Sequence, residues 1–287
     1  MEPIKDNNLD SMIVTRTEED KSGGRGTVEL RNRVHFLLNK YSNLRGSLSP
    51  PINVKVLAQL QNAKIIYRRG PENSVASMMP MGGCFIITVN DSLSQSRKRN
   101  AICHEIAHTF FFVNEGRLLR RAKNSCSNKC EELLCFWAAR ELLVPSDLLS
   151  KEMNKLGQDA IYMFSGLLKL SRTFLVSPDI IAYRLTHDLA LLGDDWIVLW
   201  YGGSQTNRRL QARSLYPRHI SDSISGYFKG RILDFIATTV KEAKEKGNFI
   251  EKYSKVGNRK PFRFKVRTEW VHKEKLCAVS WVSRLNS

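Results

Sequence analysis

Two histidines four residues apart, His104 and His108, enclose a glutamate in the stretch Ala101–Val113, AICHEIAHTFFFV. On a helix they lie one turn apart on one face, so both imidazoles can reach a single Zn²⁺. Glu105 falls about 60° around the axis from His108, at about 100° per residue. It can stand beside a metal without binding it, which is where a general base for metal-activated water belongs. The flanks favour a buried helix: Ile102, Cys103, Ile106 and Ala107, then Phe110, Phe111 and Phe112. No Gly or Pro interrupts the run, and Ser94 or Ser96 is placed to cap its start.

A third ligand must come from another element. Glu131–Val144 (EELLCFWAARELLV) reads as a strong helix ended by Pro145. On it Glu132, Cys135, Phe136 and Ala139 share one face, which is mostly apolar. A carboxylate at the edge of a core needs a partner. His104, His108 and Glu132 then make a two-histidine, one-glutamate set for Zn²⁺, with a fourth position left to water. Glu131 is the adjacent alternative, and a carboxylate at a helix start also suits the helix dipole. Cys126, Cys130 and Cys135 are not spaced as a zinc knuckle and read as structural.

Other elements must position these groups. Residues 1–25 are polar and end in glycines, and read as a flexible tail. Val28–Tyr41 has helical apolar spacing, with His35 read as a packing residue. Ile52–Leu60 reads as a short helix after Pro50-Pro51, Ala63–Tyr67 as a strand, and Met78–Gly83 as a turn region. Cys84–Val89 (CFIITV) reads as a second strand. Were it an edge, it could hold an extended peptide beside the metal by backbone pairing; a plain core strand is the other reading. Arg117–Lys129 reads as an exposed basic connection.

Further on, Leu167–Leu185 has the pattern of a helix–turn–helix, with Ser177-Pro178 opening its second helix. Only Arg184 in that second helix is basic, which is poor for phosphate contact and favours a packing role. Beyond it, 197–201, 210–215, 262–271 and 276–282 read as strands and Ser223–Lys246 as an amphipathic helix.

The 287 residues are 42% apolar and 25% charged, as in ordinary globular proteins. No stretch is long and apolar enough to span a membrane. The start lacks the apolar core of a signal peptide, so a cytoplasmic protein with reduced cysteines is expected. The formal charge is +17, and Trp196–Ser287 supplies +12 of it, with 19 Lys and Arg against 7 Asp and Glu. An acidic partner or nucleic acid would suit this part; a merely soluble basic surface is the other reading. Phe262, Phe264 and Trp270 alternate with Arg263, Lys265 and Arg267. The pattern is compatible with a nucleic-acid surface, or with a sheet having one apolar and one basic face.

In combination, His104–His108, the spacing to Glu132 and the run Glu132–Pro145 ending Glu-Leu-Leu-Val-Pro resemble the ImmA/IrrE family of metallopeptidases. Val144 stands where that family has Met, and Ala138-Ala139-Arg140 where it more often has Phe-Ala-Ala; neither touches the metal positions. The resemblance covers about residues 50–190 and includes the helical segment with its Val-Ser turn.

It implies a zincin-like metallopeptidase core (26–157) with a helix-turn-helix-like segment (158–193); with the tail (1–25) and the small basic α/β domain (194–287) read from the residue patterns above, an α+β protein is expected. The resemblance also implies a zinc endopeptidase with His104, His108 and Glu132 as ligands and Glu105 as base. Family members of known role cleave helix-turn-helix transcriptional repressors. No motif identifies an oxyanion-stabilising group; Tyr183, Arg184 and His187 are not assigned. The contrasting reading is a non-catalytic DNA- or protein-binding regulator on a peptidase scaffold, which has no need of Glu105 beside a metal.

Overall fold

The computed structural model describes residues 24–71, 74–115, 118–121, 127–157, 163–189, 196–201, 211–215, 226–246, 249–256, 262–273 and 276–284. Of the tail read over 1–25, residues 1–23 lie outside the described residues, as do Cys126 and the stretch 202–210; Gly24 and Arg25 are already helical and not part of a tail. The chain is mixed α and β and divides into two compact units. One runs to Leu148 and includes Phe174–Val176; the other comprises Leu149–Thr173 and Ser177–Ser287. Among the described residues no helix is long and apolar enough to cross a membrane.

The first unit opens with α1, Gly24–Arg45. Its buried positions Leu30, Val34, Leu37, Leu38 and Tyr41 form one stripe at helical spacing. His35 lies off that stripe and is exposed, so it is not the packing residue expected. Helix α2 (Val54–Leu60) is capped by Asn53, whose side chain accepts from Lys55 and Val56 N–H. A three-stranded sheet follows, in the order β1-β3-β2: β1 is Ala63–Arg68, β2 Ala76–Met81 and β3 Cys84–Asn90. β1 runs parallel to β3, and β2 antiparallel to it.

The stretch read as a turn is therefore mostly strand, and the turn shrinks to Gly82-Gly83. Both glycines take positive φ, 56° and 81°, as a tight two-residue hairpin demands. β3 is the centre of the sheet, and β1 and β2 are its edges among the described residues.

Helix α3, Gln95–Thr109, carries the two histidines. It starts earlier than the apolar run suggested and stops sooner. Phe112–Glu115 is a strand, β4, paired with β5 (Leu118–Arg121) inside the stretch read as a connection. Aromatic and β-branched residues in sequence fit a pleated ribbon better than a fourth helical turn. Phe112 packs edge-on against Phe85 with ring centroids 5.4 Å apart. Arg33 of α1 donates to the Phe110 carbonyl at 2.7 Å, satisfying an end group of α3. Helix α4, Asn128–Leu143, has Ser127 as its cap, packs against α3 and α1, and buries Cys135, Ala138, Ala139 and Leu142 fully.

The second unit contains most of α5 (Ser146–Leu156), then α6 (Phe164–Phe174, whose last residue belongs to the first unit) and α7 (Pro178–Tyr183). α7 continues into a wide π turn, Arg184–Asp188. A five-stranded antiparallel sheet has the order β7-β6-β10-β9-β8. Its strands are β6 Trp196–Tyr201, β7 Gln211–Leu215, β8 Phe249–Val256, β9 Phe262–Lys273 and β10 Leu276–Arg284. β8 was not foreseen.

Helix α8 (Gly226–Lys246) lays Ile236, Val240 and Ala243 on this sheet, the i, i+4, i+7 spacing of one face. The hydroxyls of Thr239, Thr268 and Ser280 form a buried chain with steps of 2.7 and 2.8 Å. Glu269 on β9 accepts from the Phe164 N–H at 2.9 Å.

Candidate metal centre

The facing surfaces of α3 and α4 bring together the residues singled out in the sequence. His104 Nε2 is 3.1 Å from Glu132 Oε2, His108 Nε2 is 3.4 Å from Glu132 Oε1, and the two Nε2 atoms are 3.2 Å apart. Two imidazole nitrogens and a carboxylate oxygen thus lie within 4.8 Å of one another. This donor set, borderline nitrogen and hard oxygen, suits Zn²⁺. His104 also packs on Phe136, centroid to centroid 4.5 Å.

The two adjacent glutamates of α4 have different surroundings. The Glu132 side chain is 44% exposed and faces both histidine Nε2 atoms. The Glu131 side chain is 5% exposed, and its Oε1 lies 2.8 Å from His108 Nδ1, the ring nitrogen away from Glu132. Its other oxygen pairs with Arg121 of β5. The buried Cys135 thiol also lies near His108 and Glu131. Cys84, Cys103, Cys130 and Cys135 all carry free thiols.

Electrostatics follow from burial. His104 is pushed down to about 4 because burial penalises the imidazolium, with the His108 charge adding to the effect. The imidazole is therefore a neutral donor at pH 7, as a metal ligand must be. Glu105 is buried next to the histidines. Desolvation holds its carboxyl above the usual range; Glu132 pushes the same way and His108 opposes. A carboxyl group raised in this way is better suited than a free one to taking up and releasing a proton.

A cavity of about 680 Å³ opens over these groups. Its wall includes Val75, Ala76, Ser77 and Met78 at the start of β2. A two-residue hairpin closes on a hydrogen-bonded pair, here Met81 and Cys84. Alternation then turns the backbone groups of Ala76, Met78 and Pro80 toward the open edge. The Phe85 N–H, bonded to Asn62 O at 3.0 Å on the opposite side of β3, agrees with this phase. Pro80, which has no N–H, occupies an outward-facing position, where the ladder to β3 loses nothing.

Sequence reasoning missed β2 and Arg121. A Gly-Gly pair between two strand-like runs was the available signal for β2, masked by Pro80. Arg121 had none, because its partner is ten residues away on a different element.

The other candidates fall elsewhere. Arg184 is fully buried and paired with Asp188 at 3.3 Å, so the one cation of the second helix of the helix–turn–helix pattern cannot reach a phosphate. Tyr183 and His187 stack on each other within the second unit, centroids 4.4 Å apart. Phe264 is fully buried against Phe235, while Lys265 and Arg267 approach Glu251. This is the sheet with one apolar and one charged face; Phe264 is not available for stacking on a base.

Facing imidazoles from an H-E-x-x-H helix, a carboxylate from a second helix and a buried carboxylate beside them define a metallopeptidase-like scaffold. Residues 61–186 match the family model of peptidase M78, described as the IrrE N-terminal-like domain, which supports assigning this segment to the ImmA/IrrE family. No curated protein matches the chain significantly in sequence. Among solved structures, a Mycobacterium tuberculosis transcriptional regulator is similar at 12% identity and a TM-score of 0.47, over 91% of this chain and 93% of that one.

Proposed function

We propose that the protein is a zinc-dependent endopeptidase with a zincin-like core that cleaves a regulatory protein of the helix-turn-helix repressor class. The observation that carries this reading is the convergence of His104, His108 and Glu132 with Glu105 buried beside them. A zinc ion held by the three would supply a Lewis acid that acidifies water and polarises a carbonyl.

The remaining work falls to the chain itself. Glu105 takes the proton from the attacking water and hands it to the leaving amide nitrogen. The Ala76 and Met78 backbone groups on the β2 edge pair with an extended substrate strand alongside the cavity. Pro80 ends that ladder, because it offers a carbonyl but no N–H. The substrate class rests on the family's known members. The basic C-terminal part, which carries most of the excess charge, is assigned to partner recognition, and the protein to the cytoplasm.

The test is co-expression with candidate helix-turn-helix repressors from the same genome, comparing the parent with Glu105→Gln. Loss of repressor cleavage in the variant supports the reading. Equal cleavage at matched expression and zinc loading would sink it and leave the non-catalytic regulator.

A further inference from the structure

Resting on the zinc reading, one relationship assigns a role to a residue outside the ligand set. We infer that Glu131, itself held by Arg121, is a positioning residue that orients His108 for zinc and is not a ligand. Its Oε1 is 2.8 Å from His108 Nδ1, while His108 Nε2 faces Glu132 and His104. A neutral imidazole carries one proton, and a carboxylate accepting at Nδ1 keeps that proton there. Nε2 is then left with a lone pair directed at the ligand cluster.

The second oxygen of Glu131 is taken by Arg121, so the carboxylate cannot swing toward the cluster without breaking an ion pair. Arg121 sits at the end of β5, opposite Phe112 in the hairpin register. The β4–β5 hairpin thereby braces the metal helix through two side chains. His104 has no such device: its Nδ1 is buried and lacks a hydrogen-bond partner among the described residues. The two histidines of the motif are thus unequal, with His108 the oriented one.

The experiment uses the full-length protein and compares the parent with Glu131→Ala, Glu131→Gln, Arg121→Gln and Glu132→Ala. Zinc affinity is read by competition with a chelating dye at neutral pH. Glu131→Ala should keep one zinc per chain but hold it roughly 10- to 100-fold more weakly, the usual range for a second-layer carboxylate. Glu131→Gln can still accept from Nδ1 and should lose less, as should Arg121→Gln. Glu132→Ala should lose stoichiometric zinc.

Affinity of Glu131→Ala within twofold of the parent overturns the inference. So does loss of zinc stoichiometry in Glu131→Ala, which would make Glu131 a ligand. A thiolate charge-transfer band in the cobalt-substituted parent would move the metal to Cys135 and overturn it as well.

A second readout needs no metal. With ¹⁵N-labelled histidine, zinc-free parent at alkaline pH should show the Nδ1–H form of His108, and Glu131→Ala should lose that preference. The Nε2–H form in the parent overturns the inference. A parent that binds no zinc yet holds the Nδ1–H form would sink the zinc reading while bearing out the orientation. Should the buried Glu131→Ala variant fail to fold, the isosteric Glu131→Gln and the half-exposed Arg121→Gln still yield a zinc affinity.

Discussion

His104 and His108 turn their Nε2 atoms toward each other at 3.2 Å, and the Glu132 carboxylate lies within 3.4 Å of both. Such an arrangement is stable with a cation shared among the three. The purified protein is expected to hold about one Zn²⁺ per chain. His104→Ala, His108→Ala and Glu132→Ala should each lose it, as read by elemental analysis after dialysis. Retention of full zinc by Glu132→Ala would remove Glu132 from the ligand set.

Glu105→Gln keeps the shape of the side chain but cannot take a proton. Zinc content should stay at the parent's level, while cleavage of the partner falls roughly 10²- to 10⁴-fold, the usual contribution of a positioned acid–base group. Binding should persist, so the uncleaved partner should co-purify with the variant.

His104 and Glu105 give the zinc-free protein two opposed pH dependences. The folded His104 is pushed below its unfolded value of 6.5 to about 4. Its contribution is present above pH 6.5 and is lost as pH falls toward about 4. Glu105 is raised above 4.5, so its contribution is fullest below that pH and is lost as pH rises through the raised value. Denaturant melts of zinc-free Glu105→Gln should therefore show a gain over the parent at pH 7 that closes toward pH 4. A gain independent of pH would contradict the assignment to Glu105.

The open edge of β2 makes a separate test. Met78→Pro removes an outward-facing N–H and leaves the ladder to β3 intact, so thermal stability should change little. Loss of one hydrogen bond to substrate, about 1 kcal/mol, should lower kcat/KM about fivefold. An unchanged kcat/KM would take the substrate off this edge.

Arg99 of α3 is buried and donates to the carbonyls of Ile52 at 2.9 Å, Leu175 at 3.1 Å and Phe174 at 3.4 Å. Arg99→Met fills similar space and strands these acceptors. The loss should be on the order of 3 kcal/mol in chemical denaturation, since bonds to charged donors are the stronger kind. A loss below about 1 kcal/mol would mean that water replaces the guanidinium.

What the sequence determined by itself is what short-range geometry controls. A helix through His104 places His108 on the same face and Glu105 beside it whatever surrounds them, because the i, i+4 relation is local. The two helices of the centre, strands β1 and β3 and the α8 amphipathic pattern were legible for the same reason. The ends of α3 were not, because the competition between a further helical turn and β4 is decided by Phe112 packing on Phe85. The centrality of β3, the edge position of β2 and the exposure of His35 were likewise outcomes of long-range pairing and packing.

The choice between Glu131 and Glu132 is the sharpest case. The two are neighbours, about 100° apart on α4. Which one meets the Nε2 atoms depends on the rotation of α4 about its axis. That rotation is set by the packing of α4, which buries Cys135, Ala138, Ala139 and Leu142 in the core. Only the packed fold could turn Glu132 to the histidine pair and leave Glu131 between His108 and Arg121, because helix periodicity gives relative angles within an element and never the angle between two.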